Sequence, residues 1–234
     1  MKKRPYRELL GAIGYCASWT RPDIATAVSI CRRFQQDPGE RHWRALKRCA
    51  LYLRATKDRC IRFSAAAADI RMVGYVDADY AESDVDSSKS RTGYIYFVCG
   101  GPVVWRSSLQ PVVAQSTCEA EYIAANAAAR EAEWMRMIHD DLFLSIPNLS
   151  LKRGKPVLIH EDNQGCIALA KNFMVTKRSK HIRIRFHYLR QQLAEGIITL
   201  EYIASEENIA DLLTKALKRP TFIKLRDLMV VTPL

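Results

Sequence analysis

The stretch Arg71-Met-Val-Gly-Tyr-Val-Asp-Ala-Asp-Tyr80 decides how this chain folds. Its apolar first half predicts a central β-strand, and Asp77 and Asp79 follow at the exit of that strand. Because side chains alternate along a strand with a period of two, the two carboxylates project to the same side. Like charges in one place repel each other, so the fold needs a cation there. Divalent cations, which prefer oxygen ligands, fit this need best.

Three further acidic residues lie at the boundaries of predicted elements: Glu121, Asp162 and Asp211. Each has a simpler explanation of its own. The helix dipole favours an acid such as Glu121 in a first turn, and Asp162 can cap a helix together with Asn163. Asp211 can form an i,i+4 ion pair with Lys215. Since ligand groups gather at the carboxyl ends of strands in open α/β sheets, the coincidence of all four acids at one sheet edge indicates a shared site.

Helical periodicity decides between two glutamates at the start of the longest predicted helix. Glu119 and Glu121 are about 200° apart on a helix, so they cannot both face the sheet. The stripe through Glu121 continues in apolar residues, whereas the stripe through Glu119 continues in polar ones such as Asn126 and Arg130. We therefore expect Glu121 on the buried face and Glu119 on the outside.

Hydrophobic patterns predict an α/β protein with a mixed sheet and helices on both of its faces. Residues 5–58 read as three amphipathic helices, and Gly100-Gly101 reads as a hairpin turn. A helix with Ser205 as its N-cap is expected to end the chain. The predicted elements after residue 65 are strands 72–78, 92–99 and 102–105, helix 117–144, strand 156–160, helices 164–171 and 178–195, strand 197–203 and helix 206–217.

The charge of +11 is concentrated at the N-terminal end of the chain. Residues 1–64 hold 15 Lys or Arg against 5 Asp or Glu, while the other 170 residues hold 21 against 20. A polyanion such as nucleic acid is the usual partner of a basic segment, and a merely soluble basic surface is the alternative. The seven cysteines include no Cys-x-x-Cys pair, which indicates reduced thiols of an intracellular protein. No signal peptide or membrane span is expected.

Five motifs follow one another along the second part of the chain. They are Tyr75-Val-Asp-Ala-Asp79, Ser116-Thr-Cys-Glu-Ala-Glu-Tyr-Ile-Ala124, His160-Glu-Asp-Asn-Gln164, Lys177-Arg-Ser-Lys-His-Ile182 and Glu206-Glu-Asn-Ile-Ala-Asp-Leu-Leu-Thr-Lys215. In this order they resemble the ribonuclease H domain of copia-type LTR-retrotransposon Pol polyproteins. Residues 6–11, 20–24 and 42–43 resemble the segment that leads from the reverse transcriptase into that domain.

This resemblance implies the ribonuclease H-like fold, an α/β fold whose five-stranded mixed sheet has the order 3-2-1-4-5. It divides the chain into residues 1–66, a basic helical segment that resembles the reverse transcriptase thumb or connection, and residues 67–234, the ribonuclease H-like domain. The activity it implies is metal-dependent endonucleolytic hydrolysis of the RNA strand of RNA–DNA hybrids during retrotransposon reverse transcription. The cofactors implied are two Mg²⁺ ions, with Mn²⁺ as the alternative.

Position by position, the resemblance places the catalytic and metal-binding set on four residues and makes Asp79 a supporting residue. It agrees with the choice of Glu121 made from periodicity. A basic helix is the candidate handle for the hybrid backbone, although a solvated amphipathic helix explains the same pattern. The four catalytic and metal-binding residues are Asp77, Glu121, Asp162 and Asp211, and the nucleic-acid-binding residues are Lys177, Arg178, Lys180, Arg183 and Arg185.

The expected partners are an RNA–DNA hybrid and the rest of the Pol polyprotein, including the reverse transcriptase, without a membrane. We expect an intracellular location, in cytoplasmic virus-like particles and in the nucleus. Cellular ribonucleases H carry a His on the loop before the last helix, but residues 202–207 have none, so we expect slower turnover.

Two other functions compete with the nuclease. One is an inactive, nucleic-acid-binding remnant of the polyprotein. The other is a transposase or integrase of the same superfold, which the acid at position 211 and the lack of zinc-ligand spacing disfavour.

Overall fold

A computed structural model describes residues 4–64, 71–81, 88–144, 155–172 and 183–232. We number the helices and strands in chain order. Three helices come first, followed by a mixed sheet whose strands alternate with the remaining helices. The elements are α1 (Tyr6–Trp19), a 3-10 turn (Pro22–Ile24), α2 (Ala25–Arg32), α3 (Glu40–Ala55), β1 (Val73–Asp79), β2 (Arg91–Val98), β3 (Gly101–Leu109), α4 (Thr117–Leu144), β4 (Val157–Glu161), α5 (Gln164–Lys171), α6 (Arg183–Ala194), β5 (Ile198–Tyr202), two 3-10 turns (Ser205–Glu207 and Ile209–Leu213) and α7 (Arg219–Met229).

The five strands form one sheet in the order β3-β2-β1-β4-β5, which confirms the predicted fold class. β1 pairs antiparallel with β2, and β2 pairs antiparallel with β3. β4 lies parallel to both β1 and β5. Because Tyr75 pairs with His160, the carboxyl ends of β1 and β4 reach the same edge of the sheet.

The β2–β3 hairpin turns one residue earlier than predicted. Cys99 and Gly100 have φ values of 51° and 77°, whereas Gly101 already begins β3. A two-residue turn with positive φ at both positions matches the right-handed twist of the paired strands. The turn is therefore Cys99-Gly100, and the predicted Gly100-Gly101 turn is wrong by one position.

The two faces of the sheet have separate hydrophobic cores. On one face, Val76, Tyr94 and Tyr96 pack against the alanine-rich side of α4. On the other face, Ile95 and Phe97 pack against the 3-10 turn Ile209–Leu213 and α7. Side chains on β1 therefore reach α4 or the 3-10 turn according to whether their position is even or odd.

The N-terminal helices form a third core and lie against the sheet face that carries the 3-10 turn Ile209–Leu213. The Thr26 hydroxyl donates a hydrogen bond to the carbonyl of Leu212, at 2.8 Å. The Trp105 indole of β3 donates to the carbonyl of Ala17, at 2.7 Å. The predicted N-terminal helical segment is thus present, while a domain boundary between residues 66 and 67 stays a prediction.

The end of the chain differs from the prediction. In place of one helix over residues 206–217, the structure has two short 3-10 turns, followed by the unpredicted helix α7. Asn208 is the reason: its side-chain oxygen accepts from the Ala210 N–H, and its side-chain nitrogen donates to the carbonyl of Val76 at 2.9 Å. The predicted basic helix 178–195 corresponds to α6, which spans Arg183–Ala194. Residues 178–182 of that prediction lie outside the described residues.

Candidate metal centre

Asp77 lies near the exit of β1 and is almost fully buried, with 1% of its surface exposed. The hydroxyl of Thr214 donates a hydrogen bond to one carboxylate oxygen, and the ammonium of Lys215 lies 3.7 Å from the other. Burial raises the pKa of Asp77 to about 7, although Lys215 opposes this shift. Asp77 is therefore a carboxylate whose charge depends on a neighbouring cation.

Asp211 reaches the same place from the 3-10 turn Ile209–Leu213. Asn208 fixes that turn to β1 through its bond to the Val76 carbonyl, one residue before Asp77. The Lys215 ammonium contacts the Asp211 carboxylate at 2.8 Å. Burial raises the pKa of Asp211, and Lys215 again opposes the shift. The i,i+4 ion pair that competed with a site role for Asp211 is thus real, and it lies inside the acidic cluster.

Glu121 and Glu161 approach from the opposite face of the sheet. Glu121 is in the second turn of α4, and Glu161 is the last residue of β4, on the same side as the buried Val157 and Ile159. Glu161 is completely buried and Glu121 is 7% exposed. Burial raises the pKa of both carboxyl groups well above the usual range. The charge of Glu161 raises the pKa of Glu121 further, and the charges of Asp162 and Asp77 raise that of Glu161.

Asp162 lies directly after β4 and is half-buried. The N-cap of α5 is Asn163, whose side-chain oxygen accepts from the Cys166 N–H at 2.9 Å. The capping role that sequence patterns allowed for Asp162 therefore belongs to Asn163. The Asp162 carboxylate is therefore not used to cap α5.

These five carboxylates form two groups that share Asp162. One ligand oxygen each from Asp77, Asp162 and Asp211 lies within 4.8 Å of the others. The same holds for Glu121, Glu161 and Asp162. The first group lies on the face of the 3-10 turn and the second on the face of α4, with Asp162 at the sheet edge between them. All four acids predicted from the sequence lie at this edge; their catalytic and metal-binding roles stay predictions.

Lys215 is the cation that faces the first group. Its side chain is 36% exposed, and its ammonium contacts both Asp77 and Asp211. Burial alone would lower the pKa of this amine, but the two carboxylates raise it above its usual value. In the metal-free protein the positive charge of Lys215 thus offsets part of the repulsion between Asp77 and Asp211.

Close packing at Gly93 holds the 3-10 turn against the sheet. Gly93 pairs with Asp77, and a Cβ at this position would lie 2.7 Å from the Thr214 methyl carbon and 2.8 Å from Leu213 Cβ. Both atoms are close to the backbone, so a methyl group must push the turn outward. The absence of a side chain at Gly93 therefore lets Asp211 and Thr214 approach Asp77.

We expect Gly93→Ala to lower the free energy of unfolding by about 1–2 kcal/mol, because the extra methyl group overpacks this contact. Urea denaturation of the metal-free protein measures the change. Gly11→Ala is the matched control, since nothing lies within 4 Å of a Cβ there and alanine favours the helix. Equal stabilisation by both substitutions would show that the turn does not pack as described.

Two predictions about neighbouring acids have different outcomes. Glu119 does not face outward: it is only 9% exposed, and its carboxylate accepts a hydrogen bond from the Gln115 N–H at 2.8 Å. The Glu119 side chain turns back toward the backbone that precedes the helix and accepts from an N–H group there. Asp79 is half-buried at the end of β1, opposite Arg91 in the register of β1 and β2. Among the described residues it belongs to neither carboxylate group.

The predicted nucleic-acid-binding residues are mostly outside the part of the chain that the structure describes. Lys177, Arg178 and Lys180 lie in the segment 173–182, and Arg183 and Arg185 lie in the first turn of α6, where only the backbone is described. Their role therefore stays a prediction. A second basic surface is described: the outer face of α3 exposes Arg41, Arg44, Lys47, Arg48 and Arg54.

Sequence reasoning missed Glu161 as a site residue. The predicted strand ended at His160, although the alternation through Val157 and Ile159 places Glu161 on the buried side. Thr214 was missed as well, because a helix was predicted where the chain forms a tight 3-10 turn that ends beside Asp77.

The donor set suits hard divalent cations, since every candidate ligand atom is a carboxylate oxygen. One oxygen of Glu121 and one of Glu161 are buried without a hydrogen-bond partner among the described residues. A buried carboxylate oxygen without a donor is costly unless a cation or a proton accompanies it. The site therefore fits metal ions by its chemistry as well as by the proximity of its acids.

Several known proteins are similar to this chain. No protein-family model matches the chain. The retrovirus-related Pol polyprotein from transposon TNT 1-94 of Nicotiana tabacum is 39% identical over 229 residues, 98% of this chain and 16% of that protein. The Pol polyprotein from transposon RE2 of Arabidopsis thaliana is 33% identical over 93% of this chain and 14% of its own length. The chain thus spans about one-sixth of these polyproteins.

A shorter relative is the secreted RxLR effector protein 161 of Plasmopara viticola, 44% identical over 135 residues, which are 58% of this chain and 94% of that protein. Among solved structures, RNase H1 from Halobacterium salinarum NRC-1 aligns with 62% of this chain and 94% of its own, at 18% identity and a TM-score of 0.43.

Within the described residues, no helix is both long and apolar enough to cross a membrane. The relatives at 33–39% identity over nearly the whole chain and the 3-2-1-4-5 sheet lead to one assignment. Over nearly its whole length the chain is homologous to part of the retrovirus-related Pol polyproteins of copia-type transposons, and it has the ribonuclease H-like fold.

Proposed function

We propose that this chain is a metal-dependent endoribonuclease that hydrolyses the RNA strand of RNA–DNA hybrids. One observation carries the proposal: Asp77, Glu121, Asp162 and Asp211 come from four separate elements and meet at one edge of the sheet. Structural requirements alone do not explain buried like charges in one place, because their repulsion destabilises the fold. A site for cations that bind phosphate does explain them.

Asp77, Asp162 and Asp211 would hold one Mg²⁺ ion, and Glu121 with Asp162 would hold the other; Mn²⁺ is the alternative. When bound, such ions activate the attacking water, stabilise the leaving 3′ oxygen and reverse the charge that the site presents to a phosphodiester. The chain itself fixes the ligands: Asn208 holds the turn of Asp211 against β1, and Thr214 orients the Asp77 carboxylate. Lys215 keeps a positive charge at the rim of the site.

The substrate class follows from the charge of the chain and from the chemistry of hybrids. A hybrid duplex displays 2′-hydroxyls in a wide, shallow minor groove, and they distinguish its RNA strand from its DNA strand. The exposed basic face of α3 and the predicted basic residues 177–185 would bind the phosphate backbone. In the same proposal, the rest of the Pol polyprotein, including the reverse transcriptase, supplies the hybrid.

A cleavage assay with three labelled substrates tests this function: an RNA–DNA hybrid, duplex RNA and single-stranded RNA, each with Mg²⁺, with Mn²⁺ and with chelator. We expect cuts only in the RNA strand of the hybrid and only with metal. Equal cutting of all three substrates, or cutting in chelator, would contradict the proposal.

A nucleic-acid-binding remnant without catalysis is the second candidate. The basic face of α3 favours it, since that surface does not depend on the metal centre. This candidate predicts hybrid binding that weakens steeply with salt and no cleavage under any metal condition.

A further inference from the structure

Glu161 is the one member of the acidic cluster that the proposed function leaves without a role. It is 0% exposed, and its Oε1 accepts a hydrogen bond from the Asn163 N–H at 3.1 Å. Its Oε2 is buried and has no hydrogen-bond partner among the described residues. One of the two carboxylate oxygens is therefore buried without a donor from the described part of the chain.

Packing does not explain a glutamate at this position. A glutamine side-chain oxygen can accept the same hydrogen bond from the Asn163 N–H, and glutamine carries no charge into the interior. Carboxylate oxygens of Glu121 and Asp162 lie within 4.8 Å of an oxygen of Glu161, so a negative charge on Glu161 would be repelled by its neighbours. A carboxylate that is buried, half satisfied and surrounded by like charges fits a site that receives a cation.

The geometry gives that cation a place. A ligand oxygen of Glu161 lies within 4.8 Å of oxygens from Glu121 and Asp162. Glu121 also has a buried oxygen without a hydrogen-bond partner in the described part of the chain. Lys215 contacts the carboxylates of the other group, Asp77 and Asp211, on the opposite face of the sheet.

We propose that Glu161 is a fifth carboxylate ligand, which forms a divalent-cation position with Glu121 and Asp162 next to the position formed by Asp77, Asp162 and Asp211. This inference rests on the proposed function, because it assigns an additional ligand to the same centre. Glu161 replaces part of the water that a cation bound only by Glu121 and Asp162 would retain. The two cation positions are then held by different faces of the sheet and share only Asp162 among the described residues.

Metal binding measured directly, without cleavage, tests the proposal. We compare the wild-type chain with Glu161→Gln, which keeps the shape of the side chain and removes its charge. Mn²⁺ is titrated into each protein by calorimetry, and thermal unfolding is followed in chelator and in Mn²⁺. Glu201→Gln is the matched control, because Glu201 lies on the adjacent strand β5, opposite His160 in the strand register, and its side chain is exposed.

We expect two Mn²⁺ ions per wild-type chain and a loss or a tenfold to hundredfold weakening of one of them in Glu161→Gln. In chelator the Glu161→Gln protein should melt at a higher temperature than wild type, because a buried carboxyl group must either stay charged or take up a proton on folding, and glutamine does neither. In Mn²⁺ this advantage should shrink or reverse. Glu201→Gln should behave like wild type in both conditions.

Two results would overturn the inference. One is an unchanged Mn²⁺ isotherm for Glu161→Gln. The other is a lower melting temperature in chelator with an unchanged shift on adding Mn²⁺, which is the signature of a purely structural glutamate. Failure of the proposed function looks different: the wild-type chain would then bind Mn²⁺ without cutting a hybrid, and the effect of Glu161→Gln on binding would remain.

Discussion

Asp162→Asn is expected to lower metal-dependent cleavage of an RNA–DNA hybrid by about a thousandfold or more, or ~4 kcal/mol in the activation free energy. The substitution keeps the size of the side chain and removes its negative charge. Because Asp162 belongs to both carboxylate groups, this one change weakens both cation positions. No other described residue has this property, so we expect the largest effect on catalysis here.

The fold should survive this substitution. Asp162 is half-buried, and the N-cap of α5 is Asn163, so the free energy of unfolding in chelator should not fall by more than about 0.5 kcal/mol. Loss of one of the clustered negative charges should raise it. Single-turnover cleavage with excess protein measures the chemical step, and urea denaturation checks the fold. Asp58→Asn, at an exposed position of the N-terminal segment, controls for the loss of one charge. Full activity of Asp162→Asn would remove the nuclease proposal and leave the binding remnant.

Three of the four predicted acids could be found from the sequence because each follows a clear local signal. Asp77 and Asp162 end apolar runs that read as strands, and Glu121 continues an apolar helical stripe. These signals identify elements, and the shared edge of a parallel strand pair then brings the acids together. Convergence at one edge thus follows from strand order, which the resemblance supplied.

The residues that complete the site lacked such signals. Glu161 was missed because a charged residue at the end of a strand reads as the start of a loop. The 3-10 turn of Asp211 was predicted as helix because Ile209, Leu212 and Leu213 have helical spacing. Its true form depends on Asn208 bonding to Val76, which is 132 positions earlier in the chain. Tertiary contacts of this kind override local propensity.

Lys215→Met is expected to destabilise the metal-free protein by about 2–3 kcal/mol and to increase the stabilisation that Mg²⁺ provides. Removing one partner of a buried ion pair costs about 3–5 kcal/mol, and we reduce this figure because the Lys215 side chain is 36% exposed. Methionine keeps most of the apolar contacts of the lysine stem, so the charge is the main quantity that changes. Urea denaturation in chelator and in Mg²⁺ measures both effects.

The opposite signs of these two effects separate a counter-ion from an ordinary surface lysine. Without metal, the Lys215 ammonium relieves the repulsion between Asp77 and Asp211; with metal, it repels the incoming ion at the same carboxylates. Removing it should therefore tighten Mg²⁺ binding by about tenfold, which appears as a larger difference between the unfolding curves with and without the ion. Lys218→Met, an exposed lysine three residues further on, removes the same charge from the surface and should change neither curve by more than about 0.5 kcal/mol. An equal loss of stability in chelator and in Mg²⁺ would contradict this prediction. The Lys215 ammonium would then be a structural partner of Asp77 and Asp211 that does not compete with the metal ion.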